Sequence, residues 1–569
     1  MAAASGKSGR DGRSETDEAS SSLRDRMVGM FRSVPSVAGR PPELLLIPQS
    51  LRTADPGLYA EIAGGTFGLA GALAHIDGTS PFRVRPPSLP WLEALHGFGW
   101  LTDLRSAGAP DASSLARRTV ADWIARKADH DPVAWKPGVA GRRLISWLSN
   151  SGMLIESAPP HEYDALLGAC DQHMQRLSAL AVDPRAGMAR LIALTAVVMG
   201  GLCMSDQEQR LSEGLRLLLD ELDRQILPDG SHVSRHPGVT IDLLLDLLPL
   251  KQCFVARDTT PPARLLAAMG RIVPMLRHMQ LGDRRLARFN GMGATELDHL
   301  ATVLAFDLDS AASSTTLRQG SYVRMMRRNT IVIMDAGAPP PLDHSGAAHA
   351  GALSFEMSSG RWPMIVNCGA PGPADLDWTA QARGTAAHST VVLNDTASAR
   401  LVRGPAGASG EQLLMGPSGV DTRLSEPEDG SIEVQTVHNG YFDRLGMMHA
   451  RVLRLSAQGN RLTGIDRIYQ PQRLVAAGKQ ERTYSIHFHV HPQASVKQGP
   501  EPNSAEITLR SGEVWHLAAN GSKLGLEDSL FLANFTGPLR TVQIVLRGHA
   551  FEDTQVRWRI ERVAEGEKS

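Results

Sequence analysis

The chain lacks a marked surplus of either charge and lacks a cysteine pattern that would indicate a zinc ribbon or a disulfide framework. Its 569 residues carry 59 Lys and Arg against 60 Asp and Glu, a formal net charge of -1. Nucleic acid is therefore not expected as a partner, and any site for an acidic polymer has to be a local basic cluster. The four cysteines lie far apart without CxxC spacing, which predicts buried free thiols.

The sequence also lacks a long hydrophobic run. Residues 1–40 mix serine, glycine and both charge signs without the roughly 7–15 apolar residues of a secretory signal, and they predict a disordered tail. The most apolar run, residues 191–204, is shorter than the ~20 residues that span a bilayer and predicts a helix buried on all sides. No transmembrane segment is expected. These absences predict residence in the cytoplasm, with the periplasm or cell envelope as the alternative.

The spacing of the apolar residues changes once along the chain. From about residue 85 it is helical, and the helical segments follow one another with short breaks. After about residue 318 the period becomes two, with Gly, Asn and Asp turns between β-rich runs. The pattern predicts an α-helical domain over residues 41–315 followed by an antiparallel β-sandwich domain over residues 316–569.

Two residue groups have both a structural and a functional interpretation. Tryptophans in the first half of the helical region are interpreted as helix-packing anchors, although indoles also line carbohydrate clefts; they are Trp91, Trp123, Trp135 and Trp147. In IHFHVHP, His487, His489 and His491 share one face of a strand. That face predicts a polar outer surface, with metal binding as the alternative.

Four phrases occur in a recognisable order. WLEALHGFGWLTDL at 91–104 and DRQILPDGSHVSRHPG at 223–238 precede LSFEMSSGRWPMIVNCG at 353–369 and ARGTAAHSTVVLND at 382–395. Together they resemble the heparinase II/III family of polysaccharide lyases. The resemblance implies an (α/α) toroid-type helical domain joined to an antiparallel β-sandwich, with the site in the cleft between them.

Lyase chemistry on a uronate needs a base for the C5 proton, a group that neutralises the carboxylate and an acid for the leaving oxygen. The resemblance implies that a tyrosine after a Ser-Pro, an Asn or His in a preceding helix and the first His of an HxH pair supply them. In this chain those positions hold other residue types: Val239, then Arg185, Ala186 and Arg190, then Ala347. The expected catalytic set is therefore missing at three places.

The residues that remain suggest a rebuilt acid/base set of His236 and His349 with Arg235. Arg235 would pair with a substrate carboxylate, and His236 would act near the ordinary histidine pKa. The alternative is an arginine that caps helix carbonyls beside a solvent-exposed histidine. Asn290 and Arg383 are further candidates for substrate binding, although Asn290 also suits a turn and Arg383 also suits a surface ion pair.

Some relatives carry a zinc site whose positions correspond here to His349, Asn367 and His388. Zinc prefers His, Cys or carboxylate ligands, so the neutral amide weakens this set. No cofactor is certain, and zinc is expected only through His349 and His388. The alternative is a pair of histidines hydrogen-bonded within the sheet.

The classification favoured by these motifs is a divergent polysaccharide lyase that acts by β-elimination on an acidic, uronate-containing glycan of the glycosaminoglycan kind. The expected partner is an anionic polysaccharide or oligosaccharide. The alternative is a catalytically inactive carbohydrate-binding or scaffolding protein that keeps the lyase fold. A third hypothesis is another reaction on an envelope glycan in the same cleft.

Overall fold

The computed structural model describes residues 42–126, 131–156, 158–181, 187–306, 318–319, 321–403, 412–471 and 482–563. The predicted tail at residues 1–40 and the predicted domain boundary at 315/316 both lie outside these ranges. They remain predictions.

The N-terminal half of the described chain is helical, as the apolar spacing predicts. Proline stands in the first turn of several helices, where its missing N–H costs nothing. Within the described residues the helices of this half are α1 Leu58–Ala63, α2 Leu89–Gly97, α3 Leu101–Ser106, α4 Pro110–Ala125, α5 Pro137–Ser149, α6 Ser151–Ile155, α7 Pro160–Leu180, α8 Gly187–Cys203, α9 Glu208–Gln225, α10 Val239–Ala256, α11 Ala263–His278 and α12 Leu297–Ala305.

Helix α8 lies at the centre of the helical core, and nearly all of its side chains are buried. The approach of α5 to α8 is close because Gly141 lacks a side chain: a Cβ there would lie 3.1 Å from the Cα of Ala193. The buried apolar run is thus confirmed as a core helix. No helix in the described part of the chain is long and apolar enough to cross a membrane.

The C-terminal half is built from antiparallel strands, with short helices α13 Thr379–Ala382 and α14 Phe442–Leu445 between them. A hairpin of β1 Thr66–Leu69 and β2 Ala72–His75 belongs to the helical half. The remaining described strands are β3 Arg318–Gln319, β4 Tyr322–Arg327, β5 Thr330–Asp335, β6 Phe355–Ser359, β7 Trp362–Val366, β8 Val391–Leu393, β9 Arg400–Arg403, β10 Gln412–Met415, β11 Val420–Ser425, β12 Ile432–His438, β13 Met448–Leu455, β14 Arg461–Tyr469, β15 Arg482–Val490, β16 Ser495–Gln498, β17 Ser504–Thr508, β18 Val514–Asn520, β19 Lys523–Phe531, β20 Leu539–Ala550 and β21 Asp553–Arg562.

Among the described residues these strands form two large sheets. One has the order β11-β12-β13-β14-β21-β18-β17-β16, and the other has the order β19-β20-β15-β7-β6-β5-β4-β3, with β8 also paired to β15. The inner faces pack together: Phe355 of β6 stacks on Trp558 of β21 with ring centroids 5.7 Å apart. A helical region followed by an antiparallel β-sandwich is therefore confirmed.

The two halves share buried residues. Tyr322, Ile331 and Ile333 of β4 and β5 belong to the same apolar cluster as the helices. This shared cluster places the loops that follow α9 and α11 against the edge of the β region, where the candidate residues meet. The four cysteines are buried free thiols, as predicted.

Candidate functional site

Arg235 follows α9 in a loop and has a left-handed backbone conformation, with φ of 59°. Its side chain is buried and reaches into the β region. The Nη2 atom donates to Oδ1 of Asp335 at 2.6 Å, and Nη1 donates to the carbonyl of Ala338 at 2.7 Å. The guanidinium also lies over the ring of Tyr322, 4.8 Å from its centroid. Both terminal nitrogens are therefore engaged by the protein itself.

Asn290 lies in a turn between α11 and α12, also with a positive φ, of 48°. Its Nδ2 donates to the hydroxyl of Tyr322 at 2.7 Å, and its Oδ1 accepts from the backbone N–H of His349 at 3.3 Å. The Tyr322 hydroxyl in turn donates to the carbonyl of Arg235 at 2.7 Å. Burial raises the pKa of Tyr322 far above its ordinary value, which keeps the hydroxyl protonated.

An ion pair anchors this turn to the sheet. Arg288 donates to Oε2 of Glu356 at 3.0 Å, and both side chains are almost fully buried. The other carboxylate oxygen of Glu356 accepts the backbone N–H of Asn367 at 2.8 Å. The turn that carries Asn290 is thus fixed to β6 by charge and hydrogen bonding.

His349 and His388 face one another at the edge of the sheet. Nδ1 of His349 lies 3.1 Å from Nε2 of His388, and Nδ1 of His388 lies 2.8 Å from the carbonyl of Gly384. A carbonyl can only accept, so His388 carries its proton on Nδ1 and accepts from His349 through Nε2. Burial lowers the pKa of both rings, that of His388 to about 4. The pair is neutral and hydrogen-bonded.

Arg383 holds the loop that precedes β6. Its Nε donates to the carbonyl of Ala348 at 2.9 Å, and its Nη2 donates to the carbonyl of Ser345 at 3.0 Å. The backbone carbonyl of Arg383 accepts the N–H of Ala350 at 2.8 Å. Arg383 therefore fixes the backbone on both sides of His349.

His236 is half-buried beside the exposed Ala347, where the resemblance leads us to expect the first histidine of the HxH pair. Gly291 separates the two: a Cβ on this glycine would lie 2.9 Å from the Ala347 methyl and 3.0 Å from Cδ2 of His236. Nδ1 of His236 accepts the backbone N–H of Gly238 at 3.0 Å. Burial lowers the pKa of His236 below the ordinary value, so the ring is neutral at physiological pH.

The zinc set does not assemble. The 3.1 Å between the facing nitrogens of His349 and His388 suits two ligands of one ion, but the third position, Asn367, is directed elsewhere. Its amide donates to the carbonyl of Arg288 at 3.1 Å and accepts the N–H of Ser389 at 2.9 Å. Among the described residues no group of three or more His, Cys, Asp or Glu side chains is placed to hold a metal. The residues present do not fit zinc.

Little space remains between these groups. The cavity bordered by Arg235, Asp335 and His349 has a volume of about 10 Å³. A cavity of about 10–15 Å³ is the smallest that holds one water molecule. No sugar ring fits in this cavity.

The other positions expected to be catalytic have structural surroundings. Arg190 pairs with Glu221 and donates through Nε to the carbonyl of Ala181 at 2.6 Å. Val239 is the first residue of α10 and is half-buried. Arg185 and Ala186 lie outside the described residues. Arg190 therefore joins helices of the core.

The prediction that the histidines of IHFHVHP form a polar outer surface is wrong. His487, His489 and His491 are all buried. His489 lies 2.8 Å from the Ser529 hydroxyl and 2.9 Å from the carbonyl of Ala386. Strand β15 is interior to its sheet, between β20 and β7. The loop before β8 contacts His489, and Gln543 of β20 bonds to His487 at 2.9 Å.

The tryptophan interpretation is confirmed for three of the four indoles. Trp91, Trp123 and Trp147 are buried in the helical core, and Trp135 is half-buried. The guanidinium of Arg143 lies 4.1 Å from the centroid of the Trp123 ring and 5.0 Å from that of Trp135. These indoles pack helices together around a buried cation.

Two residues that complete the candidate site were not identified from the sequence. Tyr322 and Asp335 lie at the start of β4 and the end of β5, and they receive Arg235 and Asn290 from the helical half. Asp335 is 100 positions from Arg235 along the chain. The sequence did offer one signal for Asp335. This aspartate ends a strand of buried residues, and a carboxylate buried there requires a cationic partner.

This chain is similar in sequence and in structure to known proteins. Residues 310–559 match the family described as Heparinase II/III-like, C-terminal. The chain is 28% identical over 545 residues to FtsZ-localized protein C of Caulobacter vibrioides, covering 93% of this chain and 91% of that protein. Heparinase III superposes with a TM-score of 0.70 at 12% identity, covering 96% and 90% of the two chains. Heparan sulfate lyase HepC from Pedobacter heparinus superposes with a TM-score of 0.62 at 14% identity, covering 97% and 89%.

Proposed function

We propose that this chain, a heparinase II/III family protein, works without lyase turnover as a scaffolding protein that localises with FtsZ. The observation that carries the proposal is that the protein's own groups occupy the candidate site. Arg235, Asn290 and His349 bind protein groups where a substrate would need them. The fold is that of the heparinases, while Val239 and Ala347 stand where the resemblance expects catalytic residues.

Volume gives the first argument. Ligand pockets in proteins usually have volumes of about 300–1,000 Å³, whereas the cavity beside His349 has a volume of about 10 Å³. Opening it would separate Arg235 from Asp335. Breaking a buried pair leaves a charge without compensation, so a substrate would have to replace that carboxylate with its own.

Similarity to FtsZ-localized protein C also supports the proposal. FtsZ-localized protein C matches nearly the whole length of this chain, helical and β regions included. That relative is named for its localisation with FtsZ. Because the alignment covers 93% of this chain and 91% of that protein, we expect the two proteins to act in the same place.

The competing proposal is a divergent lyase that acts on an acidic glycan with His236 as its base. One observation favours it: His236 is neutral, half-buried and adjacent to Ala347, where the family places a histidine. Against it, Val239 stands where the family resemblance expects a tyrosine, and the terminal nitrogens of Arg235 are bound to Asp335 and a backbone carbonyl. An anionic polysaccharide or oligosaccharide would be the binding partner under this competing proposal.

The experiment is co-sedimentation of the full chain with FtsZ polymers formed with GTP. The FtsZ comes from the organism that encodes this chain. FtsZ-localized protein C is sedimented in parallel for comparison, and FtsZ kept unpolymerised with GDP serves as the negative control. The chain should pellet with polymers, and His236→Ala should pellet equally, because that side chain belongs to the disused site. Failure of both to pellet would contradict the proposal.

A further inference from the structure

A second cavity lies in the helical half, away from the candidate site, and shares no lining residue with it. It has a volume of about 300 Å³, within the range of small-molecule pockets. One wall is the loop before α2, and the opposite wall is formed by side chains of α2 and α4. The function proposed above does not use this cavity.

The walls are mainly apolar. Phe82 and Val84 contribute from the loop, and Leu92 and Trp123 contribute from the helices. Phe82 stacks on His96 with ring centroids 5.6 Å apart and an interplanar angle of 24°. These surfaces suit a flat ring or a branched aliphatic group, because they offer it dispersion contacts and remove it from water.

The polar groups at the cavity are satisfied internally, with one exception. Nδ1 of His96 accepts from Nε1 of Trp123 at 3.0 Å, and Nε2 of His96 lies 3.2 Å from Oδ2 of Asp131. Asp131 also accepts the backbone N–H groups of Val133 and Ala134. Neither His96 nor Asp131 requires a ligand to complete its hydrogen bonding.

Arg126 is the exception. Its Nε donates to Asp122 at 2.8 Å, but its Nη2 is buried and has no hydrogen-bond partner among the described residues. A buried donor without an acceptor is costly, and a small rotation of the guanidinium would present Nη2 to the cavity that the side chain already borders. The loop on the far wall adds two exposed cations, Arg83 and Arg85.

We propose that this cavity binds a small apolar carboxylic acid, of the size of an aromatic amino acid, with its ring between Phe82 and Trp123 and its carboxylate on Arg126. The apolar walls take the body of the ligand. Because Nη2 of Arg126 lacks an acceptor, the cavity favours an anion over a neutral analogue. Arg83 and Arg85 of the loop attract that anion.

The experiment is isothermal titration of the full chain with 3-phenylpropionate and with its neutral amide. The acid should bind, and the amide should bind about tenfold more weakly, because it loses the charge-assisted hydrogen bond. Arg126→Gln should weaken binding of the acid by about tenfold. Arg118→Gln, an exposed position on the same helix, should leave the affinity unchanged.

A second variant separates loss of binding from loss of folding. Leu92→Trp fills the cavity and leaves the Asp122–Arg126 pair intact, so it should abolish binding with an unchanged circular dichroism spectrum. The proposal is overturned if the acid does not bind the wild-type chain, or if acid and amide bind equally. Binding of a peptide with a C-terminal phenylalanine, without binding of the free acid, would also overturn it.

Discussion

Replacing Asp335 by asparagine tests whether the candidate site is held shut by a buried ion pair. Asp335 lies 2.6 Å from Nη2 of Arg235, and the side chains are 4% and 8% exposed. Asparagine keeps the shape and an acceptor oxygen but removes the charge. The Arg235 guanidinium is then buried with only carbonyl acceptors, including that of Ala338 at 2.7 Å.

The magnitude follows from burial. Removing one partner of a buried pair costs about 3–5 kcal/mol. The remaining carbonyl contacts of Arg235 compensate in part, so Asp335→Asn should lower the free energy of unfolding by about 3 kcal/mol, the lower end of that range. Differential scanning calorimetry of both proteins at neutral pH, in the same buffer, measures the effect as a lower Tm.

The matched control is Asp553→Asn. Asp553 pairs with Arg467 at 2.7 Å, nearly the same distance, but the two side chains are 49% and 44% exposed. Water screens such a pair, so its loss should cost under about 1 kcal/mol. If Asp335→Asn lowers the Tm no more than Asp553→Asn does, burial does not strengthen the pair and the argument for a closed site fails.

Two further variants test the packing around the site. Burial lowers the pKa of His388 to about 4, so its contribution to stability is complete above about pH 6.5 and is lost as the pH falls toward about 4. His388→Gln should therefore flatten the fall in Tm between those pH values, whereas His75→Gln, at an exposed position, should not. Gly291 has a φ of 89°, and a Cβ there would lie 2.7 Å from the carbonyl oxygen of Ala347. Gly78 is the matched control, because its φ is 74° and the space around it is open. Gly291→Ala should therefore lower the free energy of unfolding by about 1–3 kcal/mol more than Gly78→Ala does. Equal melting temperatures for the two glycine variants would contradict this reasoning.

The order of the two regions could be predicted because apolar periodicity reports which side of an element is buried. The run at 191–204 has apolar residues on every face, and α8 is correspondingly buried on nearly every side. The alternation after residue 318 predicts strands for the same reason. Periodicity does not report what covers a face, so the burial of His489 against the carbonyl of Ala386, 103 positions away in sequence, could not be predicted.

The membership of the candidate site could be predicted only in part. Arg235, Asn290 and His349 were found through motifs, and the structure brings them together. Their partners Tyr322 and Asp335 carry no motif, because they act through long-range hydrogen bonds that depend on how the strands meet the helices. The same contacts explain why the cavity beside Arg235 and His349 is too small for a sugar ring.

The central claim is that the heparinase fold of this chain performs no β-elimination. The most direct test follows the ultraviolet absorbance of the unsaturated uronate product while the full chain is incubated with a panel of uronate polysaccharides, with and without zinc. The account predicts no product from any substrate at protein concentrations that co-sediment with FtsZ polymers. Product formed by the wild-type chain and lost in His236→Ala would contradict it and assign the chain to the active lyases.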